Sequence, residues 1–103
     1  MSFSDEAVKV FKALADPTRY AIVCQLLERG EIGCRDFADC FPLSTPTLSH
    51  HYRVLENAGL IRARKEATYV YYQLDRERLE MFIPNFARAH CQRKHMLTTK
   101  GVR

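Results

Sequence analysis

The feature that most constrains this chain is a change of period at Gly59. Ahead of it, apolar residues recur at helical spacing. Directly behind it stand two short runs, Leu60–Arg64 and Tyr69–Leu74, rich in β-branched and aromatic residues. The polar stretch Lys65-Glu-Ala-Thr68 between them suits the tip of a hairpin. After Asp75 the helical spacing returns with Leu79, Phe82, Ile83 and Phe86. Pro84 sits inside that last segment and predicts a kink or a break, because proline removes a backbone donor and clashes with the preceding turn.

The part before Gly59 divides into four helices. Asp5–Ala15 places Val8, Phe11, Leu14 and Ala15 on one stripe. Asp16-Pro17 restarts the chain, with Asp as N-cap and Pro at the first helical position. This second helix runs to about Arg29, buries Ile22, Val23, Leu26 and Leu27, and stops at Gly30. A short third helix covers roughly Cys34–Cys40. Phe41-Pro42-Leu43 then breaks the chain, and Ser44 caps a fourth helix, Thr45–Ala58, with a buried stripe of Leu48, Tyr52 and Leu55. The predicted order is α-α-α-α-β-β-α, mainly α with a two-stranded β-hairpin wing. A short helix, a tight turn, a second helix and an immediate hairpin make a winged helix-turn-helix. With 103 residues, 47% of them apolar, the chain is expected to form one such domain over residues 1–97, with a frayed tail at 98–103. A core this small favours a dimer that buries more apolar surface.

Lys+Arg number 16 against 12 Asp+Glu, a mild pointer to nucleic acid. Its distribution is more informative, since Arg88, Arg93, Lys94, Lys100 and Arg103 follow one another with no acidic residue between them. No secretory leader and no apolar run of membrane-spanning length is seen, which predicts a cytoplasmic protein. The four cysteines, Cys24, Cys34, Cys40 and Cys91, are then expected to be reduced at rest, as core residues, metal ligands or redox sensors. No Gly-rich phosphate loop, nucleophile elbow or carboxylate pair argues for an enzyme.

The fourth helix carries the pattern of a DNA reader. Such a helix docks on its own domain by an apolar inner face and presents short polar donors and a basic residue outward. Ser44, Thr45, Thr47, Ser49, His50 and Arg53 supply that outer face, and Arg62, Arg64 and Lys65 flank the hairpin tip as a wing for the DNA backbone or minor groove. His50 is assigned to the DNA side. Its neighbour His51 points about 100° away and is read as structural.

Three stretches carry a family resemblance. Phe11-Lys-Ala-Leu-Ala-Asp-Pro-Thr-Arg19, the run from Leu43 to Leu60 and the run from Lys65 to Leu74 together resemble the ArsR/SmtB family of bacterial repressors, in order, over about residues 5 to 91. The resemblance implies a homodimer built from the first and last helices, an inverted-repeat DNA operator as partner, and release on a chemical signal. It also tests the family's sensor sites. The arsenic and cadmium type has Cys-x-Cys at positions that fall here on Gly33 and Arg35, and the zinc type has ligands that fall on Arg76, Arg78, Ala89 and Gln92. Neither set can bind metal in the usual way.

The persulfide- and oxidant-sensing (SqrR/BigR/HlyU-like) branch fits better. It has one Cys in the second helix and one late in the last, matching Cys24 and Cys91. Arg88, His90 and Arg93 beside Cys91 favour its reactive thiolate. Two alternatives stay open: a metal- or metalloid-responsive repressor using Cys91 with His90 or His95, and a winged-helix interaction module without inducer chemistry. No cofactor and no bound metal are expected.

Overall fold

The computed structural model describes residues 2–91. The expected tail at 98–103 lies outside them. Five helices and three strands follow in the order α1 Ser2–Leu14, α2 Pro17–Arg29, β1 Glu31–Gly33, α3 Cys34–Cys40, α4 Thr45–Asn57, β2 Ile61–Glu66, β3 Tyr69–Leu74 and α5 Arg76–Phe82, closed by a π-helical turn at Ala87–Cys91. The architecture is a winged helix-turn-helix with a three-stranded wing sheet.

The helix boundaries have local causes. Asp16 Oδ2 accepts from the backbone N–H of Thr18 at 2.8 Å and of Arg19 at 3.1 Å, so it satisfies two of the orphan donors that open α2. Gly30 ends that helix at φ 87°, a conformation other residues rarely adopt. Ser44 Oγ accepts from Thr47 N at 3.3 Å and starts α4. Gly59, at φ 77°, turns the chain out of α4, and any Cβ there meets the Arg78 side chain at 2.5 Å.

Three expectations are corrected, and one left open is decided. First, the stripe of α1 is not Val8 and Phe11. Val10 and Ala13 are fully buried, with Leu14 packed at the core margin, while Val8 is 47% and Phe11 53% exposed. Positions two apart on a helix differ by about 200°, so Val8 and Phe11 face away from the wall that Val10 and Ala13 pack against. The helix therefore has two apolar faces, and only one is used within the protomer.

Second, a strand stands where none was expected. β1 pairs antiparallel with β3 (Ile32 opposite Tyr72), giving the sheet order β1-β3-β2. A three-residue strand that includes a glycine has too little pattern to show itself. Third, the hairpin tip is shorter than four residues. Glu66 still pairs with Tyr69, so Lys65 lies within β2, and Ala67 takes the turn at φ 57°. The disturbance expected at Pro84 is a break, not a kink. α5 stops at Phe82, Ile83 leaves helical geometry at φ −136°, Pro84 follows, and Asn85 is left-handed at φ 66°.

The core is one cluster. Ile22, Val23, Cys24 and Leu26 of α2 sit at its centre, with Phe37 of α3, Leu48, Tyr52 and Leu55 of α4, Leu60, Ile61 and Leu74 from the wing base, and Leu79 and Phe86 beyond it. Burying a side chain of this size contributes about 1.5–3 kcal/mol, so these residues set how α4 is carried on the body of the domain. No helix among the described residues is long and apolar enough to cross a membrane.

Candidate functional site

The site is built on α4 and the wing. α4 turns Leu48, His51, Tyr52 and Leu55 inward. Its opposite side carries Thr45, Thr47, His50 and Arg53, all exposed; Ser44 is exposed at the N-cap, and Ser49 is half-buried. Part of this polar set is engaged locally, since Ser44 Oγ donates to Thr47 Oγ1 at 2.9 Å. The outcome is a helix anchored by one face, with hydroxyls at its positive N-terminal end, an imidazole and a guanidinium on the other.

Three contacts hold this helix. Arg19, on α2, donates from Nε to the carbonyl of Ala13 at 2.7 Å and from Nη1 to His51 Nδ1 at 3.1 Å. An arginine cannot accept, so His51 Nδ1 is the acceptor and the ring proton of the neutral form sits on Nε2. His51 is only 9% exposed, and burial first of all, together with Arg19 and His50, pushes its pKa below the usual 6.5 against the opposing pull of Asp16. At the far end of α4, Arg78 donates to the carbonyl of Ala58 at 2.8 Å, a cation satisfying a helix C-terminus. Between these, Tyr52 packs on Tyr72 of β3 (centroids 4.4 Å apart) and on Phe37 of α3 (5.5 Å). The structural reading of His51 fits this geometry. Nothing local in the sequence marks the roles of Arg19 and Arg78, although Arg19 closes the Phe11–Arg19 stretch that carries the family resemblance.

The three wing cations differ sharply. Arg64 makes a bidentate pair with Glu31 of β1 (Nε–Oε2 and Nη2–Oε1, both 2.9 Å), stacks over Tyr71 at 4.6 Å and lies 3.7 Å from Glu66. The hydrogen bond from Arg64 holds the Glu31 carboxyl below its ordinary range. Arg64 is thus a tie between β1 and β2. Arg62, opposite Gln73, approaches Asp75 only at 3.9 Å and is 66% exposed. Lys65 is exposed and makes no hydrogen bond or ion pair among the described residues.

The two cysteines singled out above border one contact. Cys24 is buried on α2, and Cys91 is half-buried in the π turn, which packs against α2 and the core. Tyr20, one helical turn before Cys24, hydrogen-bonds His90 Nδ1 through its hydroxyl at 2.8 Å, and His90 stacks on Phe86 at 4.3 Å. His90 is therefore committed to the aromatic contact, and His95 lies outside the described residues. No group of three His, Cys, Asp or Glu that could hold a metal occurs among the described residues. Cys40 is exposed at the end of α3, and Cys34 is half-buried at its start.

Met81 on α5 is 66% exposed, so apolar surface on α5 joins that of Val8 and Phe11 on α1 in facing solvent.

Residues 16–63, from the α2 cap to β2, match the family described as "Bacterial regulatory protein, arsR family". A cadmium resistance transcriptional regulatory protein, a CadC homolog of Staphylococcus aureus, is 44% identical over 78 residues, which are 76% of this chain and 64% of that protein, so just under two thirds of its length is spanned. The structure of reduced HlyU from Vibrio cholerae N16961 superposes with a TM-score of 0.73 at 33% identity, covering 87% of this chain and 94% of that one. The homodimeric winged helix-turn-helix DNA-binding domain of a possible ArsR-family regulator from Mycobacterium bovis gives a TM-score of 0.72 at 27% identity, covering 91% and 87%. Sequence pattern, fold and the anchored α4 agree, and the chain belongs to the ArsR family of winged helix-turn-helix transcriptional regulators.

Proposed function

We propose that this regulator is a homodimeric repressor that reads an inverted-repeat operator and lets go when Cys24 and Cys91 become bridged. The observation that carries the DNA reading is α4 itself. It is pinned by its inner face and by Arg19 and Arg78, while Thr45, Thr47, Ser49, His50 and Arg53 remain on the outer side. Ser44 opens that helix, and Arg62 and Lys65 extend the surface along the wing. Arg64 supports it by fixing the sheet and contributes less to DNA than its charge suggests.

Dimerisation through α1 and α5 gives Val8, Phe11 and Met81 a partner surface, as the homodimeric M. bovis relative supports. Two recognition helices then meet successive major grooves about one helical turn apart. The cytoplasm is the compartment that suits such a protein.

The thiol switch rests on the α2–π-turn contact. Disulfide formation between Cys24 and Cys91 removes two electrons and two protons, both taken up by the oxidant. With a low-molecular-weight persulfide, sulfane sulfur is transferred to one cysteine and its thiol carrier leaves. Attack by the other cysteine then gives the disulfide and releases hydrogen sulfide. Either route locks the π turn to α2 and alters how α5 meets its partner. A coupling of about 1–3 kcal/mol is enough to lower operator affinity measurably.

The experiment is a non-reducing peptide mass map before and after treatment with such a persulfide, with diamide in parallel, alongside operator binding. A Cys24–Cys91 crosslink, and a response that disappears in Cys91→Ser, are the expected results. Survival of the response in Cys91→Ser refutes the dithiol switch, and metal and metalloid titration then becomes the next test.

A further inference from the structure

We infer that Arg19 is the residue that positions the recognition helix, and that ionisation of His51 beneath it makes operator binding fall on acidification. This rests on the DNA-reading role of α4 proposed above. One guanidinium joins three elements. It takes the Ala13 carbonyl at the end of α1 (Nε, 2.7 Å) and approaches that of Lys12 (Nη2, 3.4 Å). It belongs to α2, and it donates to His51 on α4. α1 is the helix whose second apolar face is exposed, so a change at that face has a direct polar route to the helix carrying His50 and Arg53.

The same contact depends on protonation. His51 Nδ1 accepts from Arg19, which has only donors to offer. A proton on Nδ1 turns this into two donors and two cations 3.1 Å apart in a nearly closed site. The one carboxylate at hand, Asp16, has Oδ2 at 3.9 Å from the ring, and that oxygen already accepts the two N–H bonds that cap α2. Among the described residues, the charged and titratable groups acting on the ring are Asp16 and Arg19 from the α2 side and His50 from its own helix, whereas α1 brings backbone carbonyls to Arg19. Protonated His51 must therefore either pull Asp16 from its cap or move away from Arg19. Both displace α4 on the domain.

The sign follows from burial, which lowers the His51 pKa below 6.5. The neutral form is favoured in the folded, reading state. Its contribution is complete above pH 6.5 and is lost as pH falls through the lowered folded value.

The test compares wild-type protein with His51→Gln, whose amide oxygen can accept from Arg19 without titrating. Operator Kd is measured by fluorescence anisotropy at pH 7.5 and 5.5, at fixed salt. His50 is present in both proteins, so its contribution cancels in the comparison. The Kd ratio between the two pH values is expected to be about three- to tenfold larger in wild type than in His51→Gln. Equal ratios overturn the inference. A parallel arm needs no DNA: the amide NMR signals of residues 45–57 are followed through the His51 titration. They are expected to shift with the ring and to do so at higher pH in Arg19→Gln. α4 signals that stay in place while His51 titrates overturn the inference independently. Absence of operator binding at pH 7.5 overturns the DNA reading, and the NMR arm still decides the role of the contact.

Discussion

Replacing Tyr52 by Phe should stabilise this protein, against the usual trend of core substitutions. Tyr52 is almost fully buried, yet its hydroxyl has no hydrogen-bond partner among the described residues. Burial first of all, and then the proximity of Tyr72, Cys34 and Cys40, pushes the phenol pKa well above its ordinary value, so the neutral O–H is the species to consider. Leaving such a group without a partner costs about 1–3 kcal/mol, and removing it leaves the ring packed on Tyr72 and Phe37. We take the lower end, about 1 kcal/mol, because the ring gains little new contact. For a domain of this size that raises Tm by about 4–8 °C. The assay is urea unfolding followed by circular dichroism, with both proteins at one concentration because a dimer's midpoint depends on it. The midpoint should rise with an unchanged slope. A lower midpoint refutes the reasoning and shows that the hydroxyl has a partner worth more than its burial costs.

Other substitutions separate the roles of individual residues. Asp16→Ala removes two N–H acceptors from the start of α2 and should cost about 1–2 kcal/mol in the same unfolding assay. If Lys65 meets a phosphate in each protomer, Lys65→Ala should weaken binding to all DNA sequences and reduce the slope of log K against log salt by about 0.9 per protomer, about 1.8 for the dimer, whereas Arg64→Ala should change that slope less because Glu31 already neutralises it; equal slopes contradict the distinction. Phe11→Glu, placed on the exposed face of α1, should convert the dimer to monomer in analytical ultracentrifugation while leaving the circular dichroism spectrum of the fold intact. A dimer that persists rules out α1 as part of the interface.

What the chain determines locally was legible without coordinates. Asp16 before Pro17, Ser44 before Thr45, and Gly30 and Gly59 at helix ends each act within about four residues, and the structure realises all of them. The inward stripe of α4 was equally readable, because helical spacing alone puts Leu48, Tyr52 and Leu55 on one side. The outward polar residues then followed by subtraction.

The remainder depends on residues far apart in the chain. Glu31 and Arg64 are 33 positions apart, and only the three-stranded sheet makes one the partner of the other and turns a candidate DNA cation into a sheet tie. Arg19 and His51 are separated by 32 positions, and nothing local marks either as the other's acceptor or donor. Pro84 announced a disturbance, but whether it kinked the helix or ended it turned on Phe86 and His90 finding Tyr20 on α2. α1 shows the same division most plainly. Its sequence carries apolar residues on two faces, and packing against α2 and α4 selects Val10 and Ala13 for the core and leaves Val8 and Phe11 outside. Local chemistry sets where elements begin and end, because caps and turns are short-range hydrogen bonds. Which face, which charge and which cysteine meet is decided by tertiary packing, because those free energies exist only once distant segments have excluded water between them.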